Sequence, residues 1–292
     1  MTGSRAGHLA MLLFSLLVAG SFALGSLAAN EITSSALNAV RFWIATLIIG
    51  AAAFATGGVT RAACDASWRY IVLAVFFTTY FVLMFEGLKT APPVSAAAVF
   101  TLTPILTAGF AWLLLRQVLT PRMAFALLVG ALGAVWVIFR ADVAAILRFE
   151  VGPGEMVYFW GCAAHAVYTP LVRKLNRGET AVVFSFGVLL AGSGLLTVWG
   201  WGDLVATDWM ALPGIVWITI LYTAVFASAA TFVLLQFATL RLPSSKVMAY
   251  TYLTPSWVIV WELALGGTPP PALVLAGLLL TVTALILLLR DE

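Results

Sequence analysis

The sequence predicts an all-α integral membrane protein, with ten transmembrane helices forming two inverted five-helix repeats around a central cavity. Three observations lead there. Of 292 residues, 63% are hydrophobic and only 9% charged, against roughly 25% charged in a soluble domain. Apolar runs recur along the whole chain, and about 20 such residues cross a hydrocarbon core about 30 Å thick. Finally, two segments match in pattern when aligned on Pro104 and Pro255: APPVSAAAVFTLTPILTAGF and LPSSKVMAYTYLTPSWVIVW.

Polar, Gly and Pro punctuation cuts the chain into ten segments: 9–29, 36–57, 68–88, 93–115, 122–139, 154–172, 180–199, 211–239, 244–265 and 271–289. The connections are short, which leaves no room for a separate soluble domain. A helical bundle then satisfies every backbone group inside lipid. Arg5, the run MLLFSLLVAG and the small residues up to Ala29 have signal-peptide traits. A counterpart opens the second half, so the segment is read as the first membrane helix.

Lys and Arg set the orientation. With the N-terminus inside, the inner set is Arg5, Arg61, Arg69, Arg116, Arg122, Arg173, Lys174, Arg177, Arg241 and Arg290. The outer set is Lys89, Arg140 and Arg148, with Arg41 and Lys246 left inside helices. Both termini are therefore expected in the cytoplasm, and the protein in the cell (inner) membrane. Trp199, Trp201 and Trp209 flank an outer connection as an interfacial belt does. Cys64 falls in a loop and Cys162 in a helix, with no zinc or CxxC spacing.

The two Leu-Thr-Pro motifs lie in the fourth and ninth segments, five crossings apart. An odd number of crossings turns the second half upside down, so the repeats are placed at 1–142 and 149–292. Glu86-Gly87-Leu88 closes the third segment as Gln236-Phe237-Ala238 closes the eighth. Thr120-Pro121 precedes the fifth and Thr268-Pro269 the tenth. Inverted repeats are the plan of secondary transporters, with the site near the midplane. A proline inside a helix removes a backbone hydrogen bond and bends it. Pro104 and Pro255 are thus expected as interior kinks and as the hinges of alternating access.

ALNAVRFWIA in the second segment, the two Leu-Thr-Pro helices and FWGCAAHAVYTPLVRKL in the sixth together resemble the EamA-type branch of the drug/metabolite transporter superfamily. The resemblance covers essentially the whole chain. It implies ten helices in two inverted repeats and export of metabolites or drugs. The aromatic third, fourth and ninth helices look most like the YddG group of aromatic amino-acid exporters. The chain also departs from the family. Arg116-Gln117 and Gly266-Gly267 stand where members often end helices with Gly-Glu, and Ala19 and His165 stand where they commonly carry Trp.

Ionisable residues within membrane helices are expensive and usually functional. His165 lies eleven residues into the sixth segment, about 16 Å along it, with Tyr158, Cys162 and Tyr168 or Thr169 on its face. It either lines a wet cavity, where it would carry a proton, or sits neutral on a neighbouring hydroxyl. Lys246 shares a helical stripe with Tyr250, Leu253 and Trp257. It reads as a carboxylate anchor beside aromatic faces or as an interfacial lysine. Glu262, on the same helix, is turned about 160° away and caps or snorkels. Arg41 matches the family's helix-two arginine, for which packing or gating is expected in preference to substrate contact, and it could also snorkel. Glu155, beside a Gly-Pro-Gly turn, is expected at the interface.

Phe77, Tyr80, Phe81 and Met84 follow helical spacing on the third segment; Phe100 and Thr103 come from the fourth, Tyr222 and Phe226 from the eighth. Apolar faces also meet acyl chains in lipid, so buried tyrosine hydroxyls discriminate better. The expected substrate site comprises Phe77, Tyr80, Met84, Phe100, Thr103, His165, Tyr168, Tyr222, Lys246 and Tyr250. Its solute is an amino acid, aromatic or otherwise large and apolar, or a related small metabolite. A multidrug or lipophilic-cation exporter is the alternative, and a channel or membrane sensor stands further off. With only His8 and His165 and no paired acids on one helix, an enzyme is hard to build. No metal, cofactor or nucleic-acid partner is expected beyond the solute and membrane lipid. A monomer suffices for this plan, although Gly130 and Gly133 permit close helix contacts.

Overall fold

The computed structural model describes residues 3–56, 58–60, 63 and 65–289. Arg61, Cys64 and Arg290 lie outside the described residues. Among those described there is no strand. Eight helical stretches are long and apolar enough to cross a membrane. The first five are α1 (Gly3–Ala28), α2 (Ser34–Ala55), α3 (Trp68–Leu88), the pair α4 (Pro93–Phe100) and α5 (Thr103–Leu115), and α6 (Pro121–Ile138). After these, with the short α7 (Val143–Arg148) intervening, come α8 (Pro153–Leu175) and α9 (Ala181–Trp199). The short α10 (Trp201–Ala206) precedes α11 (Gly214–Ala224), which a π-helical turn, Val225–Ala230, joins to α12 (Thr231–Thr239). The chain continues through α13 (Ser244–Ala249), a 3-10 turn Tyr250–Leu253, α14 (Thr254–Ala264) and α15 (Ala272–Leu289).

Of these, α8 and the α13–α14 stretch are not among the eight. Both carry charge, Glu155 with Arg173 and Lys174 on one, Lys246 and Glu262 on the other. Side-chain oxygens cap several helices: Thr33, Thr120 and Thr180 each accept from the amide three residues on, satisfying a donor the helix leaves open.

The two Leu-Thr-Pro segments are not continuous kinked helices, as the sequence suggested. α4 stops at Phe100 and α5 starts at Thr103; α13 stops at Ala249 and, after the 3-10 turn, α14 starts at Thr254. Pro104 and Pro255 therefore sit in first turns. There the missing N–H has no partner to lose and the fixed φ suits the helix. Each proline begins a helix instead of bending one. Thr268-Pro269 lies in the connection before α15, while Thr120-Pro121 opens α6 directly. Two short helices, α7 and α10, occupy connections expected to be plain loops, and α8 runs to Leu175 instead of 172.

α3 lies along α8, α2 along α9, α6 along α15, and α1 against both α11 and α12. The glycines of α6 make contacts within the chain. A Cβ on Gly133 would stand 2.6 Å from the Gly277 carbonyl of α15, and Gly130 lies beneath the ring of Tyr252. This close approach is internal to the chain.

Candidate functional site

Where α3, α4 and α8 meet, with α1 and α12 closing the sides, the rings of Phe77, Tyr80, Phe100, Tyr158, His165 and Tyr168 form one cluster. The α3 stripe points Phe77 and Tyr80 inward because residues three and four apart share a helix face. His165 stacks on Tyr80, with centroids 4.5 Å apart and planes at 25°, and lies parallel to Tyr168 at 5.9 Å and 10°. Phe77 packs 4.4 Å from Tyr168 and 4.0 Å from Phe232. Phe100 reaches the cluster because α4 ends there, and its ring lies 5.7 Å from both Tyr80 and His165. None of these side chains exceeds 3% exposure.

Polar groups are spread unevenly over this box. Tyr158 donates to Tyr80 Oη at 3.2 Å, and Gln236 Nε2 donates to Tyr168 Oη at 2.9 Å. The Cys162 thiol lies within hydrogen-bonding reach of the Tyr158 and Thr103 hydroxyls. Both ring nitrogens of His165 and Gln236 Oε1 are buried without a hydrogen-bond partner. Leaving a buried polar group unpaired costs about 1–3 kcal/mol. An apolar residue at 165 would stack as well without that cost. The imidazole is held by rings, not by a neighbouring hydroxyl.

The family profile of the EamA-like transporter family matches residues 5–139 and again 152–290. The chain belongs to the EamA-like transporter family, within the drug/metabolite transporter superfamily. It is accordingly a multi-pass membrane transporter. It is similar to the uncharacterized transporter YyaM of Bacillus subtilis (strain 168), 24% identical over 277 residues, which cover 94% of this chain and 90% of that protein. A solved protein crystal structure superposes with a TM-score of 0.74 at 21% identity, covering 98% of this chain and 96% of the other. That likeness concerns the fold.

Within this EamA-like transporter, five of the expected site residues meet directly in the box: Phe77, Tyr80, Phe100, His165 and Tyr168. Thr103 joins through Cys162, and Met84 is buried in the same apolar core. The other three stand elsewhere. Tyr222 donates to Leu17 O at 3.0 Å and rings with Phe226 and Trp261. Tyr250 pairs with His8 Nδ1 at 3.0 Å, near the start of α1. Lys246, buried in α13, lies one helical turn before it, towards that same end of the bundle. The stripe from Lys246 through Trp257 crosses the 3-10 turn, in which residues three apart eclipse, so Tyr250 and Leu253 keep one face.

Glu155, in the first turn of α8, is 5% exposed and accepts from Ser95 Oγ at 2.7 Å, tying α8 to α4. A further expectation changes. Arg41 does not snorkel. It is fully buried, with its guanidinium carbon 3.9 Å from the Phe81 ring centroid. Sequence reasoning left Tyr158, Phe22, Phe232 and Gln236 out of the site. For Tyr158 the signal existed, one turn of spacing from Cys162 and two from His165. Phe22 and Phe232 lie in long apolar runs where no charge or motif set them apart. Among the described residues, no three His, Cys, Asp or Glu side chains gather as a metal site.

Proposed function

We propose that this protein is a secondary transporter that exports amino acids with aromatic or other large apolar side chains, and related small metabolites, by alternating access. The observation that carries this reading is the aromatic box around an unpaired imidazole. Ring faces accept an aromatic side chain, and the open polar valence of His165 and Gln236 accepts its polar end. Because every wall residue is buried, a solute reaches the box only when helices part. Such motion is what alternating access requires.

The proposed scaffold is ten membrane helices in two inverted repeats, 1–142 and 149–292, with both termini in the cytoplasm and the protein in the inner membrane. Packing supports the repeat because helix contacts come in exchanged pairs. α3 meets α8 as α12 meets α1; α5 meets α8 as α14 meets α1. Likewise α9 meets α3 as α2 meets α11, and α13 meets α5 as α4 meets α14. The family match in two successive copies supports it as well.

A lipophilic-cation exporter is the second reading, favoured by aromatic faces that attract cations. Counterflow of labelled phenylalanine into proteoliposomes, against tetraphenylphosphonium and with or without a pH gradient, tests both. Saturable phenylalanine counterflow is expected. Uptake of the cation alone sinks the amino-acid reading, and unsaturable flux sinks the carrier.

A further inference from the structure

Among the described residues whose buried side-chain nitrogens or oxygens have no hydrogen-bond partner, Arg41 alone carries a fixed charge. Its Nε and both Nη atoms are unpaired. Yet it is held in place: its guanidinium covers the ring of Phe81 at 3.9 Å, with Phe85 and Phe42 at 5.5 and 5.6 Å. Phe81 is itself a wall of the box, 4.7 Å from Tyr80 and 4.8 Å from Phe77. The charge thus stands one ring's thickness from the cluster. One turn earlier, Asn38 Nδ2 reaches Ser34 O at 2.6 Å and Phe81 O at 3.4 Å, which fixes α2 on α3 directly beside the guanidinium.

A guanidinium offers its N–H groups as a flat fork that fits the two oxygens of a carboxylate. A single guanidinium neutralises a single charge. A dianionic phosphate would leave the second charge uncompensated among apolar side chains, where it is disfavoured. We propose that Arg41 binds the carboxylate of the transported solute while the aromatic box holds its ring. The substrate class is therefore an aromatic acid or zwitterion whose carboxylate stands a short linker away from the ring. The sequence had suggested Lys246 for this role. The inference rests on the box being the transport site, and the test separates the two.

The probes are labelled phenylalanine in proteoliposome counterflow, competed by 3-phenylpropionate, phenethylamine and phenylalanine methyl ester. In the wild-type protein, 3-phenylpropionate should compete, while the amine and the ester should be weaker by at least about 10-fold. In R41Q that preference should vanish and phenylalanine should bind at least about 10-fold more weakly; R41K should keep part of the preference. Equal competition by acid and amine in the wild type, or an undiminished preference in R41Q, overturns the carboxylate role and leaves aromatic transport standing. Absence of phenylalanine counterflow in the wild type overturns both. Where R41Q fails to fold, equal competition in the wild type still overturns the proposal, and an undiminished preference in R41K overturns the assignment to Arg41.

Discussion

On α11, Tyr222 gives its hydroxyl to Leu17 O at 3.0 Å, and Thr219 gives its own to Leu24 O at 3.1 Å. On α3, Tyr80 receives Tyr158, and beside it His165 is stacked with both nitrogens unpaired. These two interfaces, α11 on α1 and α3 on α8, occupy exchanged positions in the proposed repeat. At 165 the α8 side carries histidine, whereas α1 carries Ala19, and the ring of Tyr222 fills the space over the adjacent Gly20. One interface spends its hydroxyls on backbone carbonyls of the neighbouring helix; the other leaves polar valence unspent. Tyrosine at an interface is therefore no guide to a site. What distinguishes a site is polar capacity that the fold itself does not use.

The largest expected effect tests what holds the α3–α8 interface shut. At the start of α3, Arg69 pairs with Glu179 at 2.6 Å and donates to Leu175 O at 2.7 Å, at the end of α8. Arg69→Ala should lower stability in detergent by about 3 kcal/mol, as loss of one partner of a buried pair does. A melting temperature equal to that of the wild type would show that this clamp is idle. Burial works against the Glu179 carboxylate, but hydrogen bonds from Arg69 and the Arg177 amide hold its pKa below the ordinary range. A lowered pKa means stability that is present above the unfolded value and lost as pH falls through the folded one. Acidification below the carboxylate range should thus loosen the wild type, and Arg69→Ala should remove that dependence.

Next comes the comparison itself. His165→Ala or Tyr80→Ala should reduce phenylalanine counterflow by at least about 30-fold, equivalent to about 2 kcal/mol, with the folded protein retained. Tyr222→Phe should change counterflow less than about twofold while lowering stability by about 1 kcal/mol, the net worth of one hydrogen bond. The reverse pattern would move the site to α1 and α11.

The prolines give the smallest effect on stability. Because each opens a helix, Pro104→Ala and Pro255→Ala should cost less than about 1 kcal/mol. If the breaks at 101–102 and 250–253 act as hinges, counterflow should still fall several-fold. Unchanged rates with both replaced would end the hinge proposal.

Composition and run length alone made this a helical membrane protein, since 63% hydrophobic residues have no soluble surface to occupy. Helical spacing likewise put Phe77, Tyr80 and Met84 on one face, and depth along the sixth segment singled out His165. The rest needed neighbours distant in sequence. Tyr222 is spent on a carbonyl 205 residues away and Tyr250 on a histidine 242 away, and no local pattern records either pairing. Nothing local to Arg41 records that Phe81, forty residues on, lies beneath its guanidinium. In lipid nearly every helix face is apolar, so hydrophobic periodicity, which separates core from surface in water, has little contrast here. The chain itself fixes which helices exist; only their packing decides which polar groups are satisfied and which remain open for a solute.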